Sequence, residues 1–295
     1  MKNPTILHIN FMEIDWIVLG HDIDTIVKKA VEWGYDGIEF RGYCPANYTG
    51  TVDEYLAEIA AAKKKYGLKH VLFGKGISDC GSSDAEKRAA GIKGAIEFYK
   101  RAQDVTGACL FNVFGDLIVH ADGRIPAGCY DFGGSHFATG EMWNNTVDSY
   151  QQVGKEMEKA GIKLAFETHM NYLHDRPDTA KKLVDLIDSS AVGINMDYGN
   201  TIYMTKVPSP ADTVKLYGDK LFYMHLKNSI GIGNYNRIPT SLAEGEINHR
   251  LYLKAIKDLG YTGPIGIEAP RGGDREWFAR QDLAYFKAVA EEIEL

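Results

Sequence analysis

Four short apolar runs in the second half of the chain each end in a side chain that can bind a cation. Leu164, Ala165 and Phe166 run into Glu167, Met196 precedes Asp197, Met224 precedes His225, and Ile267 precedes Glu268. An apolar run of this length, here following Gly161, is the pattern of a strand buried on both faces. Such a strand has no structural reason to finish in a carboxylate. Three carboxylates and one imidazole make a hard, oxygen-rich donor set that suits one divalent ion, Mn2+ first, with Mg2+, Co2+ or Zn2+ as alternatives. The thiolates of a structural zinc site are missing from it. If the four ends converge, the carboxylates must take up protons unless a cation is present.

Bringing four strand ends together is the task of the whole chain. Strands are expected at Thr5–Phe11, Tyr35–Gly42, Leu68–Phe73, Cys109–Phe114, the run ending at Glu167, Val192–Asp197, Leu221–Lys227 and Pro264–Glu268. Between and after them, helical patterns cover Asp22–Trp33, Val52–Tyr66, most of Ser83–Thr106, Met142–Ala160, Asp178–Ile187, Pro210–Tyr217, Asn248–Leu259 and Glu276–Ile293. Regular alternation implies a parallel sheet, and eight units favour closure into an α/β fold of the (β/α)8 TIM-barrel type. A doubly wound open sheet is the alternative, but no glycine-rich phosphate loop follows the first strand. Two segments break the rhythm, 115–140 and 228–244, and long irregular segments in a barrel are usually functional. The first carries His120, Arg124 and His136, and the second carries Arg237.

The 295 residues, 45% hydrophobic and 25% charged, fit a single barrel spanning 1–295. A net charge of −7 disfavours nucleic acid as the main partner. Cys44, Cys80, Cys109 and Cys129 lack metal-knuckle spacing. No apolar run reaches the ~18 residues of a membrane span, and no signal-peptide pattern follows Met1. The expectation is a cytoplasmic protein with no membrane partner.

The segments Phe166-Glu167-Thr168-His169, Met196-Asp197-Tyr198-Gly199-Asn200, Met224-His225-Leu226-Lys227-Asn228, Glu244-Gly245-Glu246-Ile247 and Ile267-Glu268-Ala269-Pro270 together resemble the sugar phosphate isomerase/epimerase superfamily. That group of xylose isomerase-like barrels includes ketose 3-epimerases, hydroxypyruvate isomerase, inosose dehydratase and endonuclease IV. The resemblance spans nearly the whole chain, with Gly34 to Glu39 similar to the second strand of the group. It implies that Glu167, Asp197, His225 and Glu268 bind the metal, with Glu167 and Glu268 also serving as the acid/base pair. It further implies a sugar or polyol substrate, carbohydrate metabolism and a homo-oligomer. A Lewis-acidic ion beside a ketose carbonyl eases removal of the α-proton, and two flanking carboxylates can take that proton from one face and return it on the other. This is epimerisation or isomerisation through an enediolate. The alternatives are a lyase of the same superfamily, inosose dehydratase-like or eliminating from a 3-keto-sugar, an endonuclease IV-like hydrolase, and a barrel kept only for binding.

Further residues are assigned more loosely. His169 either contacts substrate, as a hydroxyl ligand or a base, or is a capping or core histidine. Asn200 stands where the resembled 3-epimerases carry a substrate-binding histidine, a departure from their pattern, and it is taken as substrate-binding here. Lys227 orients substrate or pairs with Glu268. Glu39 reaches toward the mouth, to substrate or to a basic neighbour. Arg237, and after it Arg271, is a contact for an anionic substrate or a solvated charge. Phe11, Trp16 and Trp143 either stack on a sugar or pack.

Overall fold

The computed structural model describes residues 2–12, 21–46, 48–119, 128–268 and 271–295, and in them the expected alternation closes on itself. The strands are β1 (Thr5–His8), β2 (Gly37–Arg41), β3 (His70–Gly74), β4 (Leu110–Val113), β5 (Lys163–Glu167), β6 (Val192–Asp197), β7 (Leu221–Leu226), β8 (Asn228–Gly233), β9 (Asn236–Thr240) and β10 (Ile265–Ile267). All but β8 and β9 form one parallel barrel in the order β1-β10-β7-β6-β5-β4-β3-β2. The helices are α1 (Ile23–Trp33), α2 (Val52–Tyr66), α3 (Ala85–Thr106), α4 (Gly140–Ala160), α5 (Pro177–Ile187), α6 (Tyr198–Thr201), α7 (Pro210–Tyr217), α8 (His249–Leu259) and α9 (Arg275–Glu292).

Local chemistry fixes the helix ends. Asp22, Thr51, Asp84, Thr139 and Asn248 each accept a backbone N–H from the first turn of the helix they precede. Gly34, Gly67, Gly107, Gly161 and Gly260 stop helices in the left-handed conformation.

The alternation of side chains along each strand creates two cores. One face of the strands packs against the helices in a large layer that includes Leu7, Phe73, Phe111, Phe166 and Met224. The other face turns inward, where Ile6, Leu72, Ala165 and Tyr223 form a small apolar plug. Inward residues one step further along the strands are polar and buried, among them Glu39, Asn112, Glu167, Asn195 and His225. The plug thus closes the barrel below a polar layer at the carboxyl ends of its strands.

Two features differ from the reading of the sequence. Segment 228–244, expected to be irregular, contains the antiparallel hairpin β8–β9. Asn234 and Tyr235 make its turn with φ of 49° and 63°, which allows a tight reversal. The short α6 was also not expected. It forms because the Asp197 side chain caps it by accepting the Asn200 N–H at 2.9 Å. Phe11 is buried in the large core, and Trp143 is covered by the Lys182 ammonium 4.4 Å from its ring centre. His136 packs edge-on against Phe132 and Phe137. Trp16, His120 and Arg124 lie outside the described residues. No described helix is long and apolar enough to cross a membrane.

Phe111 is an aromatic junction of the helix-facing layer, with ring centres 4.7 Å from Tyr99 and 6.1 Å from Phe73. Phe111→Ala is expected to cost about 3–5 kcal/mol. Urea unfolding measures it: the midpoint falls while the slope is retained.

Candidate active site

Glu167, Asp197 and His225 end or nearly end β5, β6 and β7, and Glu268 directly follows β10. Register places Asp197 opposite His225 and Gly266 opposite His225 on its other side. The consequence is convergence: one donor atom from each of the four residues lies within 4.8 Å of the others. His225 Nδ1 is 2.9 Å from Glu268 Oε2, 3.5 Å from Glu167 Oε2 and 3.7 Å from Asp197 Oδ2. Gly266 makes room for this, since a Cβ there would stand 2.8 Å from the His225 ring and 2.5 Å from the Tyr223 hydroxyl.

Each donor is oriented from behind. Glu167 accepts from the Asn112 amide at 2.6 Å and from the Asn200 amide at 2.9 Å. Glu268 accepts from the Asn10 amide at 2.9 Å. His225 Nε2 faces Glu39 Oε2 at 2.8 Å, and the same carboxylate accepts from Tyr223 at 2.8 Å and Asn112 at 3.0 Å. A ligating histidine that gives its second N–H to a carboxylate is the usual outer support of a metal site. Behind Glu167, the buried His174 donates from Nδ1 to the Glu167 carbonyl and accepts the Gly115 N–H at Nε2, 2.9 Å away. Burial drives the pKa of this histidine down to about 3, so it serves as a neutral tie between the strand end and the β4–α4 loop.

The electrostatics follow from crowding charge in a dry place. Burial pushes the Glu167 carboxyl up, but His225 outweighs it and the pKa falls to about 2. For Glu268, burial is likewise opposed, by Lys227, His8 and His225, and the carboxyl ends well below its ordinary range. Burial works against the His225 charge, yet Glu39, Tyr223 and Glu167 hold its pKa well above the ordinary imidazole value. Asp197 Oδ2 and Glu268 Oε2 are buried, and no described hydrogen bond reaches either oxygen. The Lys227 ammonium forms an ion pair with each of these two atoms, at 2.8 and 3.1 Å. Two buried carboxylate oxygens with unused lone pairs, beside a third carboxylate and an imidazole nitrogen, fit a divalent cation.

A cavity of about 380 Å³ opens on the carboxyl ends of β1 to β5 and is lined by His8, Asn10, Arg41, Phe114, His169 and Glu268, among others. His169 donates from Nδ1 to the Met170 carbonyl at 2.9 Å, which leaves Nε2 as the acceptor of the neutral ring. Asn200 and Lys227 line a smaller cavity of about 210 Å³ on the other side of Glu268, together with Tyr203 and Pro239. Arg237 stands apart on β9. It is bonded to Ser229 Oγ at 2.8 Å, paired with Glu246, and placed over the Tyr203 ring at 5.6 Å. Arg271 pairs with the buried Asp282 at 3.1 Å. Asn10, Asn112 and His8 were not singled out from sequence. Asn112 did carry a signal, a polar side chain inside the apolar run Phe111 to Phe114.

The fold and the converging strand ends define the class. The chain belongs to the xylose isomerase-like TIM barrel family, which it matches over residues 27–289. An uncharacterized protein of Methanocaldococcus jannaschii is 23% identical over 272 residues, spanning 90% of this chain and 86% of that protein. Inosose dehydratase of Bacillus thuringiensis is 24% identical over 151 residues, 50% of this chain and 47% of that enzyme. This chain therefore aligns with about half the length of that relative. Among solved structures, D-allulose 3-epimerase from Methylomonas sp. superposes with a TM-score of 0.73 at 16% identity, over 97% of this chain and 98% of that one. A xylose isomerase-like barrel protein of Mycobacterium smegmatis in complex with magnesium gives 0.74 at 18% identity, over 98% and 97%.

Two outcomes test this geometry. Glu39→Gln replaces the acceptor behind His225 and is expected to weaken Mn2+ binding about 10–100-fold, read by titration calorimetry. Binding at His225 Nδ1 must also displace the proton held there. Mn2+ affinity is therefore expected to fall as pH is lowered from about 8 to about 6, with a proton released on binding. In the ion-free protein the sign is opposite. The raised imidazole value stabilises the fold fully below its unfolded value, and that contribution fades as pH rises through the folded one. Ion affinity independent of pH would rule out His225 as a ligand.

Proposed function

We propose that this protein is a divalent-metal-dependent isomerase or epimerase of a sugar or keto-sugar. The observation that carries the reading is the convergence of Glu167, Asp197, His225 and Glu268 beside a cavity sized for a small molecule. Relatives in this family act on carbohydrate-like substrates, as the names D-allulose 3-epimerase and inosose dehydratase state. Mn2+ is the ion we assign, on the strength of an oxygen-rich set with one imidazole.

When bound, such an ion supplies Lewis-acid polarisation of a carbonyl and so acidifies the adjacent C–H. The chain's own residues do the rest. Glu167 and Glu268 are ionised and therefore able to accept a proton. Asn112 and Asn200 fix the rotamer of Glu167, and Asn10 that of Glu268. In this reading one carboxylate removes the α-proton and passes it on to solvent, while the other, protonated from solvent, delivers a proton to the opposite face. His169 accepts a substrate hydroxyl at Nε2. Asn200 and Lys227 contribute to the substrate site from the smaller cavity.

A lyase is the second reading, favoured by one observation. The two glutamates are not equivalent, because Lys227 stands 3.1 Å from Glu268 while Glu167 is held by neutral amides. Unequal carboxylates suit one-sided proton removal followed by loss of a leaving group.

The test is incubation of Mn2+-loaded protein in D2O with ketoses, 3-keto-sugars and inososes, followed by NMR and mass spectrometry. Deuterium is expected at the carbon beside the carbonyl, with exchange falling by about 10²-fold or more in Glu268→Gln after correction for bound metal. Loss of water or of an aglycone assigns the lyase. Neither exchange nor elimination, with the ion bound, overturns both readings.

A further inference from the structure

Lys227 follows His225 by two residues, and its side chain enters the ligand set rather than solvent. The approach requires a glycine next door, since a Cβ on Gly199 would lie 2.0 Å from Lys227 Cγ. The ammonium contacts only one edge of the set. It reaches Asp197 Oδ2 at 2.8 Å and Glu268 Oε2 at 3.1 Å, but no ion pair within 4.0 Å joins it to Glu167, and its remaining bond goes to Asn200 Oδ1 at 3.2 Å.

The position carries a charge argument. Coordination at His225 Nδ1 requires the neutral ring, so the ligands contribute three negative charges, from Glu167, Asp197 and Glu268. Lys227 reduces this to two. Glu39 adds a fourth negative charge on the far side of the His225 ring, among Tyr223, Asn112 and His8, so with it included the ammonium lowers the total from four to three. In a dry site the coulombic penalty for each unmatched charge is large. We propose that Lys227 biases the charge of the ion the site accepts: its ammonium offsets one carboxylate, so that the site favours a divalent over a trivalent cation more strongly than the carboxylates alone would. The inference rests on the metal reading of the site and assigns Lys227 a specificity role through Asp197 and Glu268.

The role predicts an outcome that packing alone does not. Removing the ammonium leaves three carboxylates unbalanced and favours an ion of one more positive charge over a divalent one. Mn2+ affinity would be measured by calorimetry, and Tb3+ affinity by luminescence sensitised through the neighbouring tyrosines, in wild type, Lys227→Met, Lys227→Gln and Lys227→Arg. The Tb3+ to Mn2+ affinity ratio is expected to rise about tenfold or more in the Met and Gln variants, as a unit charge at this range requires. It is expected to stay near the wild-type ratio in Lys227→Arg, which keeps the charge. Using two neutral replacements, each checked for native circular dichroism, guards against one of them failing to fold. An unchanged ratio in the folded neutral variants, with both ions bound, overturns this inference alone. Failure of wild type to bind either ion overturns it together with the metal reading.

Discussion

Three carboxylates buried within a few ångströms of one another are the constraint on which the rest of this structure depends. Isolated, each buried carboxylate would sooner take up a proton than ionise. Here Glu167 and Glu268 are held below their ordinary range, because His225 and Lys227 supply positive charge at contact distance. The neighbourhood is accordingly built of donors: the amides of Asn10, Asn112 and Asn200 all point at carboxylate oxygens. Without a compensating cation such a cluster is a liability to the fold. A divalent ion held among the four donors would offset that charge.

The barrel makes this arrangement affordable by separating jobs along each strand. Inward residues near the amino ends are apolar and fill the centre with Ile6, Leu72, Ala165 and Tyr223. Inward residues at the carboxyl ends carry the polar groups. The outward face packs on the helices regardless of what the inner face holds, so the large core supplies stability while the polar layer is free to serve chemistry. His174 links the two functions at one point, joining the backbone at Glu167 to the start of the β4–α4 loop.

Asymmetry across the site is the feature most relevant to the reaction. One side of Glu268 opens onto the larger cavity with His169, and the other onto the smaller one with Asn200 and Lys227. Both glutamates face His225 and accept from neutral amides, but only Glu268 also shares an edge with an ammonium. An epimerase shares the fold, and a dehydratase aligns with half of this chain.

The order of strands and helices, and the four donors at strand ends, were legible in the chain alone. Both are local signals: apolar periodicity over a few residues, caps such as Asp22 and Gly34, and a charged residue breaking an apolar run. The hairpin at 228–240 was missed because alternating glycine and isoleucine, as in Ile230-Gly231-Ile232-Gly233, is a weak strand signal, and its turn is made by non-glycine residues at positive φ. What only the tertiary structure decided is which groups face one another. That Asn10, Asn112 and Asn200 serve the carboxylates, that Glu39 backs His225, and that Lys227 takes the Asp197–Glu268 edge all depend on strand register between residues far apart in sequence. A shift of one residue in any strand would turn its donor from the barrel interior to the helix layer. Sequence could single out the four converging side chains because each one interrupts or ends its own apolar run. It could not name their partners, because a hydrogen bond across a closed barrel leaves no trace in either strand alone.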